Sequence, residues 1–427
     1  MKPDGEEAAN ATTKGSMGTF RSKTMMEQIL GRKNLLEAWQ RVKSNAGAPG
    51  IDGMTVEAFP AFSREHWPRI RSALMEGTYD PAPVRRVFIP KPDGTQRPLG
   101  VPTVLDRVIQ QALAQVLTPR FECGFSDHSY GFREGRNAHQ AVREVEACWK
   151  TGHRHAVDCD LKSFFDTVNH DRLMGQLREK IRDRKVLGQI RRYLQAGVVL
   201  PDGTREATPQ GVPQGGPLSP LLANITLDPL DKELERRGHR FARYADDFLV
   251  MVKSVKAAER VMASLTRFVE GRLKLVVNRA KSKAAPLKQC AFLGFQIGAQ
   301  GRAVWTAKAH AGFKRRVREI TRRNRGHRVQ DVIDELKRYV TGWLNYFGIS
   351  HTYTALLELD EWVRRRVRLY HWKQWKQPRT RRRHLLALGI PREEVHMATR
   401  SRSRPKGDGL PSSAAMERSG MATGTGG

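Results

Sequence analysis

Two acidic sites sit inside strand-like apolar stretches. Asp160 falls in HAVDCDLKSFFD, and Asp246 and Asp247 sit at the centre of FARYADDFLVMVKS. Carboxylates suit hard divalent cations, which take oxygen ligands. Two such ions, roughly 3.5–4 Å apart, are what nucleotidyl transfer requires. One activates the attacking hydroxyl; the other steadies the triphosphate and the leaving pyrophosphate. The chemistry therefore needs carboxylates gathered from strands far apart in sequence, and this chain offers them. Adjacent carboxylates at a hairpin tip repel each other unless a cation lies between them. YADD by itself also reads as an ordinary polar turn, since aspartate is a good turn residue. Asp158, two residues before Asp160, shares a strand face with it. It is expected to support the site or face the surface.

The elements that must position these residues follow from pattern. FARYADDFLVMVKS has two apolar arms around the acidic pair, the look of a β-hairpin. HAVDCDLKSFF reads as a strand running into a turn. VRRVFIPKPDGTQRPLGVP reads as two strands joined by a Pro-Asp-Gly turn. Met25–Val42 repeats apolar residues at helical spacing and predicts one amphipathic helix containing a glycine. Residues 104–118, 138–150, 221–237 and 256–273 also read as helices, and CAFLGFQIG as a short hairpin. Beyond about residue 307 the chain turns helical and very basic, as in KRRVREITRRNRGHR and WVRRRVRLYHWKQWKQPRTRRRH.

At 427 residues, 39% of them hydrophobic, the chain can build two or three packed units. Its 75 lysines and arginines against 44 acidic residues give a net charge of +31. Such an excess repels itself in a compact state and implies a polyanionic partner, with nucleic acid the natural one. The four cysteines form no C-x-x-C pair, which argues against a zinc ribbon or a disulfide framework. No apolar run approaches a membrane span, and MKPDGEEAAN lacks the apolar core of a signal peptide. A cytoplasmic protein with no membrane partner is expected.

YADD with an upstream D-x-K-x-x-F-D resembles two signature motifs of reverse transcriptases. The order of further matches resembles the reverse transcriptases encoded by group II introns, also called intron maturases. MEQILGRKNLLEAWQRVK, NAGAPGIDGMT, IPKPDGTQRPLGVPTVLDRVIQQAL, SYGFREGRNAHQAV, PQGGPLSPLLANITLDPLDKEL, KLVVNRAKS, FLGF and YVTGWLNYF match successive blocks of that family over roughly residues 21–390. The absence of paired cysteines resembles the compact bacterial subgroup without an HNH endonuclease.

The resemblance implies an α+β right-hand polymerase. Residues 1–20 would be a disordered N-terminus, 21–125 fingers, 126–300 an antiparallel-sheet palm, 301–390 a basic helical thumb or X domain, and 391–427 a disordered tail. It implies Asp160, Asp246 and Asp247 as catalytic metal ligands, with the Leu161 carbonyl beside them, holding two Mg²⁺ ions or Mn²⁺ in their place. Lys91, Arg97, Phe165 and Gln214 would bind the incoming dNTP, Phe165 as an aromatic gate against a ribose 2′-hydroxyl; its alternative is core packing. PQG occurs twice, and Gln214 is aligned rather than Gln210 because GGPLSPLLAN follows it. Tyr244 would border the primer, and Lys281 would serve as general acid toward pyrophosphate. Trp343, Trp362, Trp372 and Trp375 could stack on bases or fill the thumb core. Implied partners are group II intron RNA, an RNA template–DNA primer duplex, target DNA and dNTPs, with the protein a monomer or homodimer in a bacterial cytoplasm. The implied function is RNA-directed DNA synthesis with assistance to splicing and retrohoming. A splicing-only maturase and a domesticated defence-type reverse transcriptase are the alternatives.

Overall fold

The computed structural model describes residues 23–90, 94 and 96–400. The expected N-terminal disorder over 1–20, Lys91, and the tail beyond 400 lie outside the described residues. In chain order the first elements are α1 (Met25–Ile29), α2 (Arg32–Ser44), α3 (Phe59–Glu76), β1 (Val84–Pro90), β2 (Gln96–Val101) and α4 (Val104–Glu122). There follow α5 (Ala138–Lys150), β3 (His155–Cys159), α6 (Phe164–Thr167), α7 (His170–Lys180), α8 (Arg184–Gln195), β4 (Val198–Val199), β5 (Arg205–Glu206) and α9 (Ser219–Arg236). The remainder comprises β6 (Arg240–Tyr244), β7 (Asp247–Val252), α10 (Val255–Phe268), β8 (Lys283–Pro286), β9 (Phe295–Ile297), β10 (Ala303–Trp305), α11 (Ala307–Ile320), α12 (Val329–Phe347), α13 (Tyr353–Gln374), α14 (Pro378–Ala387) and α15 (Arg392–Arg400).

The chain forms two compact units. One runs up to Gly124 and includes Phe165–Thr226. Here β1 and β2 pair antiparallel in the register Arg86↔Gly100 and Ile89↔Arg97, within a sheet ordered β2-β1-β4-β5. Helix α4 is its spine and buries Ile109, Leu113 and Leu117. Asp106 on α4 is buried, and four groups donate to its carboxylate: Tyr79 Oη at 2.8 Å, Tyr193 Oη at 3.2 Å, Thr103 Oγ1 at 2.7 Å and the Ala82 N–H at 3.3 Å. Burial raises its pKa, opposed by those hydrogen bonds. The cluster fixes the approach of the chain to β1.

The single helix expected over Met25–Val42 is instead two. Gly31 is extended (φ −64, ψ 137) and a Cβ there would lie 3.0 Å from the Gln28 carbonyl. Asn34 donates to the freed Ile29 carbonyl at 2.8 Å, so the break is capped by a side chain. The apolar spacing continues through the glycine because both segments pack against α4.

The other unit comprises Phe125–Phe164 and the chain from Leu227 onward. Its sheet is ordered β6-β7-β3-β8, all antiparallel, with α5 packed on β6 and α10 against β3, β7 and β8. The central strand β7 is buried on both faces: Phe248, Leu249, Val250 and Met251 are all interior, covered by α5 on one side and α10 on the other. Ala156, Leu249 and Met251 face a core with Val145, Cys148, Leu287 and Cys290. CAFLGFQIG forms the short hairpin expected of it. Phe292 and Phe295 exchange backbone hydrogen bonds around Leu293 (φ 53) and Gly294 (φ 81), and β9 then pairs outward with β10. Positive φ at both turn residues is the geometry a two-residue hairpin prefers.

In the basic helices, Phe313, Val317, Val332, Leu336, Trp343, Leu359 and Val363 form one core. Trp372, Trp375, Leu385, Ile390, Val395 and Ala398 form a second. The sequence expectation of disorder from 391 therefore fails as far as Arg400. Val395 and Ala398, one helical turn apart, bury against Trp372 and Trp375. Trp343, Trp372 and Trp375 are interior residues, which removes them as stacking platforms. Trp362 is half-buried, with Lys314 and Arg318 over its ring at 5.7 and 5.4 Å.

Candidate active site

The register of the second unit gathers the acidic residues on one sheet face. Asp158 pairs with Leu249 and Cys159 with Phe248. Continuing that register by one residue sets Asp160 opposite Asp247, with Asp158 on the same face. Tyr244 pairs with Asp247, so Ala245 and Asp246 form the tip of the hairpin. Ala245 has φ 59, a left-handed conformation that favours glycine.

A buried guanidinium holds this tip. Arg243 and Asp231 are both 0% exposed. Arg243 Nε donates to Asp231 Oδ1 at 2.7 Å, and its Nη2 pairs with the other oxygen. The remaining nitrogen, Nη1, donates to the Ala245 carbonyl at 2.9 Å. Such a pair costs desolvation and is retained only where its geometry is fully satisfied. Across the turn lies Gly131, where a Cβ would come within 2.4 Å of the Ala245 nitrogen.

Asp160 is held by the segment after α10. Asn278 donates through Nδ2 to Asp160 Oδ2 at 2.7 Å and through its backbone N–H to the Asp160 carbonyl at 2.8 Å. Ser282 Oγ accepts from the Asp160 N–H at 3.0 Å. Leu161 bridges Val277 as a non-hydrogen-bonded pair, flanked by the Asp160 and Lys162 bonds, so its carbonyl is not used in that ladder. Asn278 and Ser282 were not anticipated as site residues. They lie in VNRAKS, whose only signal was its family match. Lys281, in the same turn, is exposed and its N–H bonds Asn278.

Asp247 retains solvent contact, but protein crowded around the turn removes much of its hydration. That loss, with negative Asp158, Asp246 and Asp160 nearby, pushes its carboxyl up to about 7. The Leu293 N–H, which bonds it, offsets part of the rise. Asp158 is likewise raised, first by burial, with Lys283 opposing. The Leu293 carbonyl in turn accepts from Tyr346 Oη of α12 at 2.9 Å, so one residue ties the carboxylate turn to the basic helices. Among the described residues no three His, Cys, Asp or Glu side chains stand together so as to hold a metal ion. The donor chemistry fits a divalent cation all the same: oxygen donors only, and like charges whose repulsion a cation would relieve.

In the first unit, Gln214 is seated on β2. Its carbonyl accepts from the Gly100 N–H at 2.6 Å, and its Oε1 accepts from Arg97 Nε at 3.3 Å. Gly215 (φ 116) has room for no Cβ, which would lie 2.5 Å from the Gly100 carbonyl. Gln210, the other PQG glutamine, is exposed. Phe165 is buried at 7% exposure, and its carbonyl accepts from the Val212 N–H at 2.6 Å. Phe164 is buried as well.

In the basic helices, Arg366 donates to Thr321 Oγ1 at 2.9 Å. Its pKa is lowered by burial and by the neighbouring charges of Arg323 and Arg318. Crowded guanidiniums of this kind favour an anion among them. No helix among the described residues is long and apolar enough to cross a membrane.

Residues 89–297 match the family described as reverse transcriptase (RNA-dependent DNA polymerase). Residues 310–389 match the group II intron maturase-specific domain. Protein YkfC of Escherichia coli is 34% identical over 313 residues, 64% of this chain and 82% of that protein. Group II intron-encoded protein LtrA of Lactococcus lactis is 32% identical over 326 residues, 61% of this chain and 54% of the relative, so the chain spans about half of LtrA. The putative COX1/OXI3 intron 1 protein of Saccharomyces cerevisiae is 32% identical over 201 residues, covering 47% and 24%. With a polymerase module followed directly by a maturase module, and a relative matched over most of its length, the chain is a reverse transcriptase, an RNA-directed DNA polymerase, and belongs to the group II intron-encoded reverse transcriptase–maturase family.

Proposed function

We propose that this protein binds its own group II intron RNA, assists its splicing, and copies it from a primer at a DNA target, working in a bacterial cytoplasm. The gathering of Asp158, Asp160, Asp246 and Asp247 around one hairpin tip carries the polymerase half of this reading. Asp160, Asp246 and Asp247 would hold the metal, with the Leu161 carbonyl as a further oxygen donor. Two bound Mg²⁺ ions, or Mn²⁺, would supply activation of the primer hydroxyl and neutralisation of the leaving pyrophosphate. Asn278 and Ser282 fix Asp160, and Arg243 fixes the tip that carries Asp246. Arg97 and Lys91 supply cationic donors for the triphosphate, arginine by paired hydrogen bonds and lysine as a point charge. Gln214, anchored on β2 by its carbonyl, orients the dNTP. Phe165 restricts the sugar, Tyr244 borders the primer end, and the exposed Lys281 is available to protonate pyrophosphate. The arginines of α11 and α13 contact intron phosphates.

The test is primer extension on an RNA template with dNTPs and Mg²⁺. The intact chain should extend the primer. Asp246→Ala should lower the rate by at least about a thousandfold, since several kcal/mol of charge stabilisation are lost, while intron RNA binding persists. Equal extension by both proteins would remove the metal assignment. No extension by either, with tight RNA binding, would favour a splicing-only maturase. Phe165→Val should admit ribonucleotides; unchanged sugar selectivity would return Phe165 to the core.

A further inference from the structure

The loop between Phe125 and α5 lies against the aspartate hairpin and carries a ring that the roles above leave unused. Ser129 bridges Arg243 in parallel, and the Tyr130 N–H donates to the Arg243 carbonyl at 2.8 Å. Gly131 then passes so close to the Ala245 nitrogen that no side chain fits. The next residue, Phe132, has φ 61 and leaves half of its surface, 50%, open to solvent. A bulky residue in left-handed backbone stores strain of order 1–3 kcal/mol and persists only where its surroundings over-determine it.

The surroundings do so here. Arg133 is buried and donates to the carbonyls of Ser126 and Ser129, the latter at 2.7 Å. Its guanidinium also covers the Phe125 ring at 5.5 Å. Arg136 pairs with Asp127 and lies 5.7 Å from the Tyr130 ring. A rigid, argininyl-strapped loop thus presents an aromatic ring that packs on no other ring among the described residues. Consecutive Cα atoms are about 3.8 Å apart, so Phe132 begins within roughly 8 Å of the Ala245 backbone. The exposed half of the ring gains nothing for folding, whereas an open aromatic face is a ready platform for a nucleobase.

We infer that Phe132 is a stacking platform for the nucleobase at the 3′ end of the primer. This rests on the polymerase reading, because the primer terminus must come to the Asp246–Asp247 turn. The ring would limit rotation of the terminal base pair and so help hold the 3′-hydroxyl in place.

The experiment places 2-aminopurine at the primer 3′ end of an RNA–DNA duplex and titrates the full chain. Stacking on an aromatic ring quenches the probe without any need for turnover. Three proteins are compared: wild type, Phe132→Trp and Phe132→Gly. Glycine accepts φ 61 without strain, so that variant removes the ring and leaves the loop conformation. Wild type and Phe132→Trp should quench. Phe132→Gly should lose the quenching and bind the duplex about 5- to 100-fold more weakly, the range for one stacked base, with the KM for dNTP unchanged. Quenching by Phe132→Gly equal to wild type overturns the inference, as does weaker binding with the quenching intact. Wild-type quenching without extension would count against the proposed metal-holding role of the aspartates and leave the platform standing.

Discussion

The carboxylate hairpin and the basic helices of the second unit handle charge in opposite ways. At the hairpin, charge is withdrawn from water. Arg243 and Asp231 have no exposed surface, while Asp247 above them keeps solvent contact and is raised to about 7 by partial loss of hydration and by like neighbours. Along α11–α13, ion pairs such as Arg316–Glu319 and Arg364–Asp360 remain open to solvent. Water screens such pairs, and each adds about 0–1 kcal/mol. The comparison teaches that buried charge fixes geometry here, while exposed charge stays available to a polyanion.

The comparison breaks most sharply at Arg243. Arg243→Met leaves Asp231 buried without a partner, and urea unfolding should show a loss of about 3–5 kcal/mol. Adding Asp231→Leu should return most of that stability. Primer extension should stay impaired in the double variant, because the Ala245 carbonyl still lacks its donor. Full activity in the double variant would reduce the pair to packing.

A second test concerns His371, buried beside Trp375 with both ring nitrogens unpartnered and its pKa lowered to about 4 by burial and by His384. In the unfolded chain a histidine titrates near 6.5. Above that value both states are neutral and nothing is lost. Between about 6.5 and 4 only the unfolded state takes the proton, so stability falls as pH falls, by up to about 3 kcal/mol. Thermal unfolding of wild type and His371→Phe across this window should diverge toward acid; parallel curves would place the histidine in water.

The smallest effect belongs to the exposed charges. Arg318→Ala and Lys314→Ala should each leave stability within about 0.5 kcal/mol. Each should lower the slope of log Kd for intron RNA against log salt by about one if it contacts a phosphate. A large stability loss would mean that their packing on Trp362 matters more than their charge.

Much of this was legible in residue order. The two apolar arms around Asp246 and Asp247 read as a hairpin, because short apolar runs flanking a polar turn suit strands buried on both faces. Arg85–Val101 paired as the Pro-Asp-Gly segment implied. Helices at 104, 138 and 255 begin at Thr103, Asn137 and Ser254, side chains that cap the first turn. By contrast, the tryptophans after residue 340 could not be sorted into core or surface. Helical spacing places a residue on a face but does not say what covers that face.

The sequence by itself determined the order of elements, the motif set and hence the family, and the positions of the candidate aspartates. All of these rest on local spacing or on short strings of residues. Only the tertiary structure decided that Asn278 and Ser282 grip Asp160, that Arg243 reaches Asp231 and the Ala245 carbonyl, and that Phe132 stays open to solvent. It also decided that Val395 and Ala398 carry order past residue 391. Apart from the Arg243–Ala245 bond, those contacts join residues 12 to 122 positions apart or depend on which surfaces meet. Burial and long-range pairing are properties of the packed chain, and no local period encodes them.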